Sequence, residues 1–373
     1  MDGGGSERQT VTLLQRIDRK IWSPELLLLY RRGVLLADVP VDIPVHAFWD
    51  EYTAPRIWFP GRIHRQQVAW LRKQLIERKP AAIYDRTYHA TLITGPASTN
   101  LTIGRISTIT SPPDVELVAT RDNWIWIKRQ RLARAYRSAS FTVAVSKAVA
   151  RAAERFYGLS KDAVVVVPNS IDLQSVREAA NLRPPVSLDT RTFHIVCVGR
   201  MTEEKGHRFL LEAIQQLVGQ NLPQFHLWLA GDGPLRPALE RFVDSAGVSQ
   251  QVSFLGHFRE AVSLIANAQL LCLPSLYEGL PNVVMEAMAV GTPVIATSAG
   301  GSVELSENGK RFTLVPPGNS RALAESLKLA MTNPDPLVAM SKIAHAAIEL
   351  RDCRIVLPQL SKLLMIAAGI NED

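Results

Sequence analysis

Two carboxylates seven residues apart, Glu278 and Glu286, stand in LLCLPSLYEGLPNVVMEAMAVGTPVIATSAGG, and two cations, Arg200 and Lys205, stand in HIVCVGRMTEEKGHRFLLEAI. Carboxylates accept hydrogen bonds from paired hydroxyls, as sugars and ribose present them. An Arg and a Lys between a strand end and a helix start can clamp a diphosphate; alternatively they form a solvated loop with Glu203 and Glu204 as partners. Carboxylates also repel a diphosphate. A site combining both groups therefore needs compensating cations and helix N-termini, which Arg200, Lys205 and the helix after Leu280 can provide. FHLWLAGDGPLRPALE adds Gly231 and Gly233 in a turn after a strand, with Pro234 where a helix is expected to begin. Such a turn lets backbone approach a ligand, but tight βα turns also need glycine for geometry alone.

The elements that must position these groups alternate along the whole chain. PELLLLY, VDIPVHAF, a helix from about 62 to 78, AAIYDRT, ISTITS, a helix from 122 and SFTVAVS give way to AVVVVPNSIDL, and the pattern restarts with HIVCVGR, FHLWLAGDG, VSFLGH, QLLCLPS, VIATS and FTLVPP. Alternation of short β-runs with amphipathic stretches predicts βα units on parallel sheets, an α/β fold. A polar, proline-bearing stretch between the two series places a boundary near 174–190, so two doubly wound domains are expected with ligands beyond the carboxyl ends of strands. Pro281 is expected as the first helical residue, leaving Glu278 in the loop before the helix and Glu286 more than a turn inside it.

Composition excludes several classes. With 373 residues, 47% hydrophobic and 21% charged, the chain can bury two cores. Cys197, Cys272 and Cys353 are odd in number and embedded in apolar stretches, which argues against a disulfide framework or a metal site and fits a reducing cytoplasm. No run of eighteen apolar residues and no secretion signal occur, so the chain is expected neither to span nor to cross a membrane. Residues 1–173 carry 25 Lys and Arg against 16 Asp and Glu, and 174–373 carry 17 against 19. The basic half could face anionic lipid or a phosphorylated substrate; nucleic acid is disfavoured, because no zinc-finger spacing, aromatic RNA motif or lysine-rich tail is present. NWIWIKRQRLARAYR, residues 123–137, could lie on a membrane surface, but in an α/β domain such a helix is expected to pack its Trp and Leu on a sheet.

VGRMTEEKG, LAGDGP, FLGH, LPSLYEGLPNVVMEAMAVGTPVIAT and AGGSVE, preceded by SFTVAVSKAV and VVVVPNSID, follow the order of a known family. The chain resembles a retaining glycosyltransferase of family 4 (glycosyl transferases group 1) with the GT-B fold of two Rossmann-like domains facing a cleft. The resemblance implies an acceptor-side domain over 1–173, a linker over 174–190 and a nucleotide-sugar-binding domain over 191–373, whose last helix is free to cross back. It implies Arg200 and Lys205 on the diphosphate, Glu286 on the ribose, and Glu278 meeting the donor sugar or ordering the site. Gly231, Gly233, Gly279, Leu280, Gly300 and Gly301 would lie near the donor, with Glu304 either a ligand or a helix-start residue.

The implied reaction moves a sugar from a nucleotide-diphosphate donor, UDP- or GDP-linked, to a sugar or lipid-linked glycan acceptor with retained configuration. It would serve cell-surface glycan, polysaccharide or lipopolysaccharide synthesis at the cytoplasmic membrane face. No Asp-x-Asp is present, so no metal and no cofactor are expected. In RTYHATLI, His89 follows a strand at a position suited to acceptor-side proton traffic, or else bonds backbone at a helix start; Tyr88 and Asp85 are further candidates. A nucleotide-sugar epimerase and a non-catalytic nucleotide-sugar-binding scaffold are the alternative readings.

Two departures stand out. Ser170 occupies VPNSID where glycine is commoner in the family pattern. GGSERQTVTLL resembles the glycine loop and first helix that follow strand one, with Gly4 and Gly5 facing the cleft, yet only Met1, Asp2 and Gly3 precede it. Strand one is therefore expected to be missing from the amino-terminal domain, with a coding start upstream as the expected cause.

Overall fold

A computed structural model describes residues 4–53, 59–120, 123–184, 186–257 and 261–370. The chain divides into two compact units, Met1–Ser170 with Cys353–Asp373, and Ile171–Asp352.

In the first unit, α1 (Gly5–Arg16) precedes β1 (Leu26–Leu28), β2 (Val45–Ala47) and the one-turn α2 (Phe48–Glu51). Then follow α3 (Arg62–Arg78), β3 (Ala82–Arg86), α4 (Tyr88–Ala97), β4 (Gly104–Ile109), α5 (Pro113–Ala119), α6 (Ile125–Arg137), β5 (Phe141–Ala144), α7 (Lys147–Tyr157) and β6 (Val164–Val166). β3, β4, β5 and β6 form a parallel sheet in that order, whereas β1 and β2 pair separately, Leu26 opposite Val45. Residues 1–3, ahead of α1, where strand one is expected to be missing, lie outside the described residues, as do residues 121 and 122, around which a helix was expected to start.

The core of the four-stranded sheet joins Ile106 and Val143 to Leu13 of α1 and to Val356, Leu360 and Leu364 of the chain's last helix. Those last three positions recur every four residues, the spacing that puts apolar side chains on one helix face. The last helix thus completes the first unit. α7 is closed at both ends: the Ser146 hydroxyl accepts from Val149 N, and Gly158 caps the C-terminus at φ 61°.

The second unit runs α8 (Leu173–Ala180), β7 (Phe193–Val198), α9 (His207–Leu217), β8 (Phe225–Ala230), α10 (Arg236–Ser245), β9 (Val252–Gly256), α11 (Ala261–Asn267), β10 (Leu270–Leu273), α12 (Asn282–Val290), β11 (Val294–Thr297), α13 (Gly301–Leu305), β12 (Thr313–Val315), α14 (Ser320–Thr332) and α15 (Asp335–Ala347). The last helix, α16 (Cys353–Ala368), returns to the first unit. All strands are parallel in the order β12-β11-β10-β7-β8-β9. Alternate residues Ile195, Cys197, Leu227, Leu229, Cys272 and Ile295 pack under α9 and α14 through Leu210, Leu211, Ile214, Leu323 and Leu327.

Residues 174–190, read as a linker, begin instead inside α8, which packs on α11 and α12. Asp172 starts that helix by accepting from Ser175 N at 3.1 Å, a cap that turns a polar stretch into structure. Cys197, Cys272 and Cys353 are free and buried. Among the described residues no helix is long and apolar enough to cross a membrane.

Candidate functional site

Strand order places β7 and β10 side by side although β8 and β9 lie between them in sequence. The chain leaves β7 towards one edge and returns at β10 towards the other, which makes the carboxyl ends of this pair the sheet's switch point, where ligands of open α/β sheets bind. The loop after β7 carries Arg200 and Lys205, and the loop after β10 carries Glu278. Lys205 Nζ donates to Glu278 Oε1 at 2.7 Å, and the Ser275 hydroxyl donates to the same oxygen at 2.7 Å. The Glu278 side chain is 8% exposed and that of Lys205 26%. The carboxylate is thus held inside, and the ammonium reaches outward with two of its three donors beyond this bond.

Four loops are stitched together at this edge. Met201 N donates to Asp232 O at 2.9 Å and Leu235 N to Met201 O at 3.0 Å, joining the loops after β7 and β8. Leu276 N donates to Glu204 O at 2.8 Å, joining those after β7 and β10. Gly301 N donates to Gly279 O at 3.0 Å, joining those after β10 and β11. Glycines make close approaches between these loops possible. Gly206 sits at φ +65°, where an added Cβ would meet Pro274 O at 2.1 Å, and Gly300 sits at φ +51°, where a Cβ would meet Glu278 O at 1.8 Å. Only glycine supplies both the left-handed backbone and the space.

The expected donor-side residues all belong to the second unit. Arg200 is exposed at the start of its loop; Gly231 and Gly233 flank Asp232 in the loop after β8; Gly279 and Leu280 are buried next to Glu278. Glu286 is the fifth residue of α12 and half-buried, Gly301 opens α13, and Glu304 lies in the first turn of α13. Two helix starts differ from expectation. Pro281 is the extended N-cap of α12, which begins at Asn282. α10 begins at Arg236 instead of Pro234: Asp232 O and Leu235 N, on either side of Pro234, are bonded to Met201 of the neighbouring loop, and Arg236 N closes a turn on Gly233 O at 3.1 Å.

Three supporting residues escaped the sequence reading. Ser275 braces Glu278, and its position three residues earlier was visible in PSLYE. Met201 is fully buried and carries the backbone stitching. His207, 2% exposed at the first residue of α9, has no hydrogen-bond partner on either ring nitrogen among the described residues. Burial, then Lys205, lowers its pKa to about 4, with Glu204 opposing.

In the first unit, His89 is the second residue of α4 and is exposed, its ring 4.0 Å from that of Tyr88. Lys128 Nζ lies 5.9 Å from the Tyr88 ring centre. Desolvation of the imidazole, then the Lys128 charge, lowers the pKa of His89 and leaves it neutral at pH 7. Thr87, just before α4, holds φ +76°, a strained value for a β-branched residue. Asp85 is committed to structure: Oδ1 accepts from Thr91 at 2.6 Å, and Oδ2 from Thr94 at 2.7 Å and Ser107 at 2.8 Å. Burial pushes its pKa up while those hydroxyls and Arg105 oppose the rise.

Gly4 is the N-cap of α1 and Gly5 its first residue. α1 is tied to the VPNSID turn by a reciprocal pair: Gln9 Nε2 donates to Ser170 O at 2.7 Å, and Ser170 N donates to Gln9 Oε1 at 3.0 Å. Both bonds use backbone atoms of residue 170, so serine serves where glycine was expected. The helix read as packing its Trp and Leu on a sheet does so only in part. In α6, Leu132, Ala133, Ala135 and Tyr136 are buried, whereas Trp124 and Trp126 stand 65% and 57% exposed. The apolar repeat that faces α4 begins after the two indoles.

Comparison with known proteins follows the same division. Residues 3–175 match the model of Glycosyltransferase Family 4, and residues 192–333 that of Glycosyl transferases group 1. The alpha-D-kanosaminyltransferase of Streptomyces kanamyceticus is 31% identical over 166 residues, 44% of this chain and 42% of that protein. The lipopolysaccharide core biosynthesis glycosyltransferase LpsE of Rhizobium meliloti is 28% identical over 151 residues, 40% of this chain and 43% of that one. The matches span less than half the length of either relative. Anabaena HepE, crystallised with UDP-glucose, superposes over 98% of this chain and 97% of its own with a TM-score of 0.78 at 22% identity. That likeness shows the fold, GT-B.

Proposed function

We propose that this chain, which belongs to glycosyltransferase family 4, moves a sugar from a nucleotide-diphosphate sugar to an acceptor hydroxyl with the anomeric configuration retained. The observation that carries the reading is the Lys205–Glu278 pair at the switch point of the second unit's sheet. Breaking the bond between the anomeric carbon and the diphosphate leaves negative charge on the nucleotide, and fixed cations aimed at that charge lower the barrier. Arg200 and Lys205 take this role. Glu286 bonds the ribose hydroxyls. Glu278 orders Lys205, a role supported by the two hydrogen bonds that hold its carboxylate.

The donor loops are Gly231–Gly233, Gly279–Leu280 and Gly300–Gly301, with Glu304 secondary. His89 receives the acceptor proton as a neutral imidazole, and Gly4 and Gly5 border the acceptor. The reaction proceeds without a divalent metal, protein cations supplying the charge. UDP-glucose in HepE supports a nucleotide-diphosphate sugar as donor, and the role of LpsE in lipopolysaccharide core synthesis supports a cell-surface glycan as product.

The test is release of nucleotide from a panel of uridine and guanosine diphosphate sugars after ranking them by thermal stabilisation, since a ligand selective for the folded state raises its apparent stability. Expected are release with one donor, the starting anomer in the product by NMR, and persistence in a strong chelator. Stabilisation without release from any donor supports the scaffold reading, interconversion of the free nucleotide sugar supports the epimerase, and loss in chelator restored by manganese overturns metal independence.

A further inference from the structure

The proposed reaction uses none of the residues on the outer face of α6, which the fold uses only where Ala133 is buried and Arg129 and Arg137 meet the end of α7. Leu132, Ala135 and Tyr136 are buried, and they hold the helix to its unit. Trp126, Arg129, Gln130, Ala133, Arg134 and Arg137 lie three, four, seven, eight and eleven residues along from the first of them, so they share one face. They line an open groove of about 750 Å³, closed on one side by Tyr157 at the end of α7. Arg129 Nε donates to Phe156 O at 2.5 Å, and Arg137 Nη2 donates to Tyr157 O at 3.0 Å and Gly158 O at 2.8 Å. These bonds fix two guanidinium groups on the groove wall at the C-terminus of α7. Arg131 and Arg134 remain exposed.

The sequence between Asp122 and Glu154 is charged with one sign, while Glu116 of α5 acts on Tyr157 at the groove's edge. Between Asn123 and Ala153 the sequence has Lys128, Arg129, Arg131, Arg134, Arg137, Lys147 and Arg151 and no acidic residue, a surplus equal to the net +7 of the whole chain. At the N-terminal end of the stripe stand Trp124 and Trp126, the two most exposed indoles among the described residues, and Val115 and Val118 of α5 are also exposed, at 42% and 55%. An indole has an apolar body and a polar N–H, and it settles at the boundary between acyl chains and headgroups. Four or more Lys and Arg on an amphipathic helix are the signature of attachment to anionic lipid.

We infer that the outward face of α6 docks on a bilayer surface rich in anionic phospholipid, with Trp124 and Trp126 inserted at the interface and the Arg129–Arg137 stripe over the headgroup phosphates. A single-stranded nucleic acid fits less well: stacking of successive bases needs aromatic platforms along the groove, and both indoles lie at one end of it. Docking needs no donor and no turnover, so it stands or falls independently of the proposed reaction.

The test floats the full chain with vesicles of phosphatidylcholine alone and of equal parts phosphatidylcholine and phosphatidylglycerol. Expected is binding to the anionic vesicles, weakened by salt, and none to the neutral ones. Trp124→Ser with Trp126→Ser, and separately Arg131→Glu with Arg134→Glu, each weaken it by about tenfold or more. Both pairs keep the thermal midpoint, because the altered side chains are exposed. Arg321→Glu with Lys342→Glu makes the same charge change on α14 and α15 and keeps binding. Equal binding to neutral vesicles, undiminished binding by either α6 pair, equal loss in the α14–α15 control, or binding to single-stranded RNA without binding to vesicles would each overturn the inference.

Discussion

Lys205 and Glu278 come from loops 73 residues apart in sequence and meet at 2.7 Å across the two adjacent strand ends where the second sheet reverses direction. The carboxylate has a second donor in Ser275, so the pair is a fixed mount for one ammonium and not an exposed ion pair of the kind that contributes little.

Lys205→Ala leaves a nearly buried carboxylate with Ser275 as its remaining bonded donor from this pair. Expected is a loss of about 1–3 kcal/mol in urea unfolding and a fall of about a hundredfold in nucleotide release. Glu286→Ala, on a half-buried helix position outside that mount, is expected to lower release with less effect on unfolding. Unchanged release in both variants would remove these residues from the site.

Gly300→Ala tests whether the donor loops are held by shape. The new methyl meets Glu278 O at 1.8 Å in a backbone at φ +51° and ψ −125°, so the loop carrying Glu278 must move. The expected cost is about 2–4 kcal/mol, strain and collision together. Gly247→Ala is the control, with φ +70° and open space around its Cβ, and should cost about 1 kcal/mol. Equal midpoints for the two variants in urea would contradict the collision.

Much of this was legible in the sequence because the signals were local. Apolar runs such as FHLWLA and HIVCVG marked strands, and the 62–78 helix emerged with those bounds, since its pattern has flanking glycine and Lys-Pro to end it. Tertiary contacts hid the rest. The stretch before α10 is bonded to Met201 on both sides of Pro234, through Asp232 O and Leu235 N, and the Ser275 brace depends on how the chain folds back on Glu278. The exposed indoles of α6 were misjudged for the same reason: periodicity shows which residues share a face, but the neighbour that covers the face is set by the whole unit.

His207 makes stability depend on pH in a defined window. Its pKa is 6.5 when unfolded and about 4 when folded, so the unfolded chain binds the extra proton between those values. Its contribution is complete above pH 6.5 and is lost as pH falls through about 4, a swing of about 3 kcal/mol. His207→Leu, close in volume and without a titrating group, should flatten that part of the unfolding curve. An identical pH slope in variant and parent would exclude His207 as its source.

The buried Asp85–Arg105 pair in the first unit makes the last prediction. Arg105 is 2% exposed and reaches Asp85 at 3.8 Å, with Ser107 between them accepting from Arg105 Nη1 at 2.5 Å and donating to Asp85 Oδ2 at 2.8 Å. Arg105 Nη2 is also bonded to Ala135 O and Ser138 Oγ, so the network links β3 and β4 to α6. Removing one charge strands the other in a low-dielectric interior. Asp85→Ala or Arg105→Met alone should therefore cost about 3–5 kcal/mol, while the double variant should cost well under their sum. A double-mutant cycle in urea measures the coupling. Additive losses would show that the two side chains are held independently, Asp85 by its hydroxyl donors and Arg105 by the α6 carbonyl.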